Sequence, residues 1–543
     1  MKRFGCFLFV STCMMLVSTA QKIIPYVSKV WVADMGDGRY QNPVLHADYS
    51  DPDVIRVGND YYLIASSFNA APGLPILHSN DLVNWSIIGH AFNQQFPIDH
   101  FRKVQHGNGV WAPAIRFHNN EFYIYYPDPD FGIYLTKAKN ILGPWTAPVL
   151  VLAGKGLIDP CPLFDANGKN YLVHALAGSR ASYKSVILIK ELNTAGDQVV
   201  SEGVLVYDGH ELDATIEGPK IYQRNHYYYI FAPAGGVGTG WQTVLRSKNI
   251  YGPYERKQVL EQGTTSVNGP HQGAWVQTQS GEDWFLHFQD KEAYGRILHL
   301  QPMKWVNDWP VMGLHTNGDG RGEPVATFIK PAVGRIYPIC TPKESDEFNE
   351  SALGLQWQWN ANPAINWAFC FPAKGALRLN SVLVSDTIKN LWDVPNLLLQ
   401  KFPAEEFSAT TKFSFTPKTV GEKFGLVVMG MNYANIMVAN KIDGLYICYG
   451  KCVEADKGKK ENEIQFTKIV NGTDLYFRVT VLKGASCTFS YSMDGKLYTP
   501  VPEKFTATPG RWIGATVGMF CNRVQNINDA GFSDIDWFRV DRP

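Results

Sequence analysis

Three carboxylates, one histidine and one tryptophan stand just ahead of five similar hairpins in this 543-residue chain. They are Asp51 in Asp51-Pro52-Asp53, Trp111 in Trp111-Ala112-Pro113, Asp159 in Asp159-Pro160, Glu217 in Glu217-Gly218-Pro219, and His271 in Gly269-Pro270-His271. Singly, each is an ordinary turn start. Their value lies in their phase, because turn residues have no reason to fall at the same point of five successive repeats. Carboxylates crowded into one apolar-walled pocket raise one another's proton affinity. Such a pocket can hold one acid protonated near neutral pH and one base ionised, which is what acid/base hydrolysis requires. Asp53 lies two residues after Asp51 and shares its face in an extended strand, so it rivals Asp51. Asp165 follows Asp159 by six residues but falls in a polar turn and is a poor rival.

The elements that must position these residues repeat. A short apolar run, a polar turn and an aromatic-rich run recur, as in Val54-Ile55-Arg56-Val57, Gly58-Asn59-Asp60, Tyr61-Tyr62-Leu63-Ile64. Each is a β-hairpin signal. The second strands begin near Tyr61, Phe122, Tyr171, Tyr227 and Trp284, a period of about 50–60 residues with room for two further strands. Five four-stranded units predict a five-bladed β-propeller, with a large sandwich as the structural alternative. The first strand of a blade is innermost, so five equivalent starts converge on one central mouth. Residues 313–344 are rich in Gly, Pro and Thr and read as a linker. From 345 to 543 the alternation continues without the period, in runs such as Thr411-Lys412-Phe413-Ser414-Phe415 and Leu475-Tyr476-Phe477-Arg478-Val479. That pattern predicts an all-β second domain, a jelly-roll β-sandwich. It is expected to pack on the propeller and supply one rim of the mouth, with Trp357, Trp359 and Trp367 offering large rings near the junction.

Composition narrows the function. Lys plus Arg equals Asp plus Glu at 50 each, so no electrostatic footprint for nucleic acid exists. Residues 1–20 combine Lys2 and Arg3, an apolar stretch from Phe7 to Val17, and Ser18-Thr19-Ala20. They read as an export signal, placing residues 21–312 as the propeller of a periplasmic or extracellular protein. No run is long enough for a membrane span. Seven cysteines follow the signal, an odd number without a zinc-type pattern, and buried free thiols are expected. Asn84-Trp85-Ser86 and Asn471-Gly472-Thr473 are glycosylation sequons. Gly235 to Gly240 is not a phosphate loop, since no helix opens after it, and reads as a rim of the pocket.

The stretch Tyr49-Ser50-Asp51-Pro52-Asp53-Val54-Ile55-Arg56-Val57 closely resembles the start of glycoside hydrolase family 43. So do Ser66-Ser67-Phe68, His78-Ser79-Asn80-Asp81-Leu82-Val83-Asn84-Trp85, Val110-Trp111-Ala112-Pro113, Ile216-Glu217-Gly218-Pro219 and Gly295-Arg296. Asp346-Glu347-Phe348-Asn349 with Leu353-Gly354-Leu355-Gln356-Trp357 resembles the concanavalin-like sandwich that follows the propeller in some members. The resemblance implies an inverting, often exo-acting glycosidase. It implies Asp51 as general base, Glu217 as general acid, and Asp159 as a charged third carboxylate that tunes and orients the acid. Arg296 is implied near the sugar, and Trp111 and Phe68 as walls of the first subsite. His271 is implied beneath the site, beside a calcium or a water, and no cofactor is required. Inversion needs room for a water, so the two reacting carboxyl groups are expected about 6.5–9.5 Å apart.

The leading expectation is an α-L-arabinofuranosidase that trims terminal units from hemicellulose side chains such as those of arabinoxylan or xyloglucan. A β-xylosidase acting on xylo-oligosaccharides is the nearest alternative. A non-catalytic sugar-binding propeller would lack at least one carboxylate, and a retaining fructosidase-like propeller needs its pair only about 5–5.5 Å apart. The partner in every case is an oligosaccharide or polysaccharide. The sequence leaves the polymer and the oligomeric state open.

Overall fold

The hairpins assemble into five four-stranded antiparallel sheets, each built from consecutive strands paired in sequence order. The computed structural model describes residues 25–315, 318–470 and 474–543. The export-signal residues and the sequon at Asn471 lie outside the described residues. In the first blade the strands are Asp53–Val57, Asp60–Ile64, Gly73–Ser79 and Trp85–Phe92. The other blades open on Ala114–His118, Leu157–Phe164, Lys220–Arg224 and His271–Gln277. Middle strands are buried and outer ones wet. Tyr125 and Ile124 are sealed, whereas Val149 and Leu150 on the outermost strand of the same blade are exposed. That gradient is why the middle strands read as near-continuous apolar runs and the last ones were the faintest in the sequence.

Buried polar ties join the blades to one another. Asp53 accepts from the Ile115 N–H at 2.8 Å and from Arg116 Nη1 at 2.7 Å, across the first and second blades. Lys220, wholly buried, donates from Nζ to the Pro113 carbonyl at 3.1 Å. The segment ahead of the first blade reaches back to the fifth blade and beyond it. Leu45 and Leu298 exchange backbone hydrogen bonds, and Arg39–Gln41 pairs with Thr327–Ile329.

The 313–344 stretch is therefore no loose tether, because the propeller's own N-terminal segment takes part of it as a strand partner. Lys330 beyond that strand pairs with Asp34 and Asp81 of the propeller. Asn84 is buried beneath the same strap and donates from Nδ2 to Asp34 and Asp81, so the first sequon is inaccessible. The seven cysteines among the described residues are free thiols; five are buried, and Cys340 and Cys370 are half-buried.

The second domain is two facing sheets of seven and eight strands, antiparallel but for the short Val382–Leu383 strand. Phe413, Phe424, Phe477 and Met519 fill the space between them. Its core runs on without a break into Ala293, Tyr294 and Ile297 of the propeller. The Tyr294 hydroxyl accepts from the Ala485 N–H at 2.8 Å and donates to the Glu405 carbonyl at 3.1 Å. Trp359 sits at the junction, exchanging two backbone hydrogen bonds with Ala71 at 2.6 and 3.1 Å. Its ring packs edge-on against Trp367. Trp357 does not serve the junction in this way: its ring lies against Phe348 and Phe538 in the sandwich core.

Candidate active site

The mouth of the funnel is built from backbone that bends out of strand geometry where each blade starts. Asp51 has φ 54° and Asp159 φ 56°, left-handed values that a non-glycine residue adopts only under constraint. In the third blade the ladder loses register between Ile158 and Cys161, so Asp159 and Pro160 form a bulge. In the fifth it loses register between His271 and Ala274. In the first blade the left-handed turn at Asp51 separates it from Asp53. Regular alternation would give them one face, but the turn at Asp51 breaks it, and Asp53 is spent on the second blade. Asp53 is thus a structural tie and no rival for the base.

Asp51 is buried and held at both oxygens. Oδ1 accepts from Arg296 Nη1 at 3.0 Å and Oδ2 from the Ser66 hydroxyl at 2.6 Å. Each oxygen keeps a second lone pair for a further donor. Arg296 is nine-tenths buried; its guanidinium lies 4.9 Å from the Phe288 ring and 4.0 Å from Asp290. Its Nη2 has no hydrogen-bond partner among the described residues and is left for a ligand.

Glu217 is half-buried, and Oε1 lies 3.0 Å from Nε2 of the sealed His271. That contact survives either protonation state, as N–H···O⁻ or as O–H···N. Glu217 and Asp51 make no hydrogen bond to each other among the described residues; their partners are separate.

Asp159 accepts from the Gly218 N–H at 2.7 Å, one residue from Glu217. Burial, then the neighbouring Glu217, pushes its carboxyl up to about 7. That direction favours a proton on Asp159 and runs against the expectation that it stays charged. Gly218 has a left-handed φ of 60°, and a Cβ there would sit 2.4 Å from Gln272 Oε1.

Phe68 is buried and exchanges backbone hydrogen bonds with Val110 at 2.9 and 3.1 Å, so it braces the strand leading to Trp111. Trp111 is half-buried and anchored by Nε1 to the Gly107 carbonyl at 2.7 Å. The guanidinium of Arg180 lies 5.7 Å from its ring. The Gly235–Gly240 loop packs on the start of the fifth blade, where a Cβ on Gly269 would meet the Val237 carbonyl oxygen at 2.2 Å.

Among the described residues, no cluster of three or more His, Cys, Asp or Glu is placed to hold a metal. Calcium takes six to eight oxygens. His271 offers nitrogen, and its Nε2 already meets Glu217. These residues do not form a calcium cage, and His271 stands as a contact of Glu217.

Three contributors escaped the sequence reading. Trp512, from the sandwich, is about half exposed at φ 66° and meets Trp111 edge-on at 6.1 Å. Gly107 makes that approach possible, since a Cβ there would lie 2.4 Å from the Trp512 ring. The glycine-flanked run Pro509-Gly510-Arg511-Trp512-Ile513-Gly514 was the signal available for it. Ser66 lay inside a quoted motif without a role. Asp48, three residues before Asp51, had no signal beyond its position.

Residues 40–310 match the model of glycosyl hydrolases family 43, and residues 345–541 match the β-xylosidase C-terminal concanavalin A-like domain. The chain belongs to glycoside hydrolase family 43. It is a glycosidase whose substrates are carbohydrates. It is 39% identical to a putative β-xylosidase of Xylanibacter ruminicola, over 92% of this chain and 89% of that protein. A non-reducing end α-L-arabinofuranosidase of Bacteroides ovatus is 29% identical over 76% of this chain and 78% of that one. Among solved structures, the GH43 protein BlXynB of Bacillus licheniformis superposes with a TM-score of 0.80 at 26% identity, covering 93% of this chain and 100% of that one. Both domains and their junction are thus shared with a solved family 43 protein.

Proposed function

We propose that this family 43 glycosidase is an exo-acting, inverting enzyme that removes terminal pentosyl units from hemicellulose fragments. The observation that carries the reading is the separate housing of two carboxyl groups at one mouth. Asp51 is clamped by a guanidinium and a hydroxyl, and Glu217 rests on a buried histidine. Glu217 donates its proton to the glycosidic oxygen as the bond to the leaving group breaks. Asp51 takes a proton from a water that attacks the anomeric carbon from the opposite face. Arg296, with Nη2 open, supplies charge-assisted hydrogen bonds to sugar hydroxyls. Asp159, beneath Glu217, sets the charge the acid faces. Trp111, expected as a wall of the first subsite, and Trp512 give the mouth an aromatic rim.

β-Xylosyl units are the first substrate reading, because the more similar of the two relatives bears the xylosidase name. α-L-Arabinofuranosyl units are the second, supported by the arabinofuranosidase relative. The order is the reverse of the one the sequence suggested. Export is part of the same proposal and rests on the pattern in residues 1–20. A panel of aryl β-xylosides and aryl α-L-arabinofuranosides, with the anomer of the released sugar followed by NMR, tests both activity and stereochemistry. Release with inversion from either substrate supports the proposal; retention overturns the mechanism. Turnover of neither pentoside overturns the substrate class.

A further inference from the structure

Asp48 is a buried carboxylate that the mechanism above does not use, and it lies where the two domains meet behind the site. Its Oδ2 accepts from the backbone N–H of Gly514, in the sandwich loop, at 2.8 Å. Its Oδ1 accepts from the backbone N–H of Arg296 at 3.0 Å and from the Ser50 hydroxyl at 2.7 Å. One side chain therefore gathers three groups. Arg296 then carries the link forward through Nη1 to Asp51. Ser50 carries it by a second path, because its carbonyl accepts from the Ser66 N–H at 2.9 Å, and the Ser66 hydroxyl holds the other oxygen of Asp51. Both clamps on Asp51 thus originate at Asp48.

The sandwich side is held as tightly. Gly295 and Gly514 meet backbone to backbone. A Cβ on Gly514 would lie 2.6 Å from the Gly295 nitrogen, and one on Gly295 would lie 2.6 Å from Asp48 Cγ. Ala515 also donates to the Ala293 carbonyl at 2.7 Å. The sandwich loop that carries Trp512 thus meets the turn just ahead of Arg296 through glycine backbone, with the Asp48 carboxylate joining the two. A buried carboxylate is costly unless its oxygens are filled by donors, so displacing Gly514 leaves Asp48 short of one donor.

We infer that Asp48 is a positioning residue that sets Arg296 and Ser66 on Asp51 only while the sandwich loop 510–515 is docked. The sandwich is then part of the machinery that orients the water-activating carboxylate, besides forming one side of the mouth. This inference rests on Asp51 being the general base.

The test uses the full chain, well below its melting temperature, with aryl xylosides and arabinofuranosides of good and poor leaving groups. Asp48→Asn keeps the shape but turns an N–H toward donors that need an acceptor. Its kcat is expected to fall about tenfold to a hundredfold, the range that follows misplacement of a catalytic group by an ångström. KM should move less than about threefold, and the loss should be equal for good and poor leaving groups, because water activation is needed in both. Gly514→Ala perturbs the same link from the sandwich side. The double variant is expected to be no slower than the worse single one, as for two changes on one path.

An unchanged kcat in Asp48→Asn, a loss confined to poor leaving groups, or multiplicative losses in the double variant overturn the inference. If Asp48→Asn yields no folded protein, Gly514→Ala carries the test, and normal turnover there overturns it. Asp51→Asn, run alongside, separates the two ideas. Full turnover in that variant overturns the base assignment and this inference with it. An inactive Asp51→Asn beside a normal Asp48→Asn overturns only the inference.

Discussion

The starts of the first and third blades use one backbone device to opposite electrostatic ends. Asp51 and Asp159 sit at nearly the same left-handed φ, 54° and 56°, each just ahead of or within its blade's innermost strand. Asp51 is met by a guanidinium and a hydroxyl. Asp159 is met by one backbone N–H, a neighbouring acid and little water, and its carboxyl rises to about 7. A carboxyl group in this mouth thus takes its electrostatic character from its partners, and the turn that presents it does not fix that character.

The largest expected effect breaks the Asp51 side. Asp51→Asn keeps the hydrogen-bonding shape but cannot take a proton, and turnover of every substrate should fall at least about a thousandfold. Binding of xylose or arabinose by calorimetry should persist. Turnover near wild type would move the role elsewhere.

Next comes the acid that Asp159 faces. Glu217→Gln should cut turnover of natural glycosides about 10²–10⁴-fold and that of activated aryl glycosides far less, since a good leaving group needs little protonation. Equal losses on both would remove Glu217 from the leaving-group side.

Asp159→Asn sharpens the comparison by trading activity against stability. The unfolded Asp159 ionises near 3.8 and the folded one near 7. Between those values the unfolded chain has released a proton that the folded one keeps, so the wild type loses stability as pH rises from about 4 to about 7. The variant has no proton to lose. It should be less active, and its melting temperature should exceed the wild type's at pH 8 by more than at pH 4. A gain independent of pH would show that Asp159 is not the group that titrates.

The smallest effect concerns the sandwich's ring. Trp512→Ala should raise KM for xylo-oligosaccharides about two- to tenfold, the worth of one aromatic contact, and leave kcat on a short aryl glycoside near wild type. An unchanged KM on oligosaccharides would remove Trp512 from the substrate's path.

The sequence by itself determined the repeat, the two all-β domains and the residues in phase at the blade starts. These are local signals: period-2 alternation, turn chemistry, and a period set by chain length. Asp51, Asp159, Glu217 and His271 were legible because residues near the start of each repeat of a closed ring face a shared centre. Tertiary structure decided the rest. Asp53 looked equivalent to Asp51 because alternation assumes an unbent strand, and the left-handed turn at Asp51 is a property of its packing. Trp357 and Trp359 are two residues apart in one run, yet one fills a core with its ring and the other spends its backbone on a domain junction. Whether Asp159 is charged depends on how much water and how many donors reach it, which no residue type encodes. Asp48 and Gly514 are 466 positions apart and meet at 2.8 Å. Contacts of that range carry no local pattern, because they exist only once two separately cored domains have closed on each other.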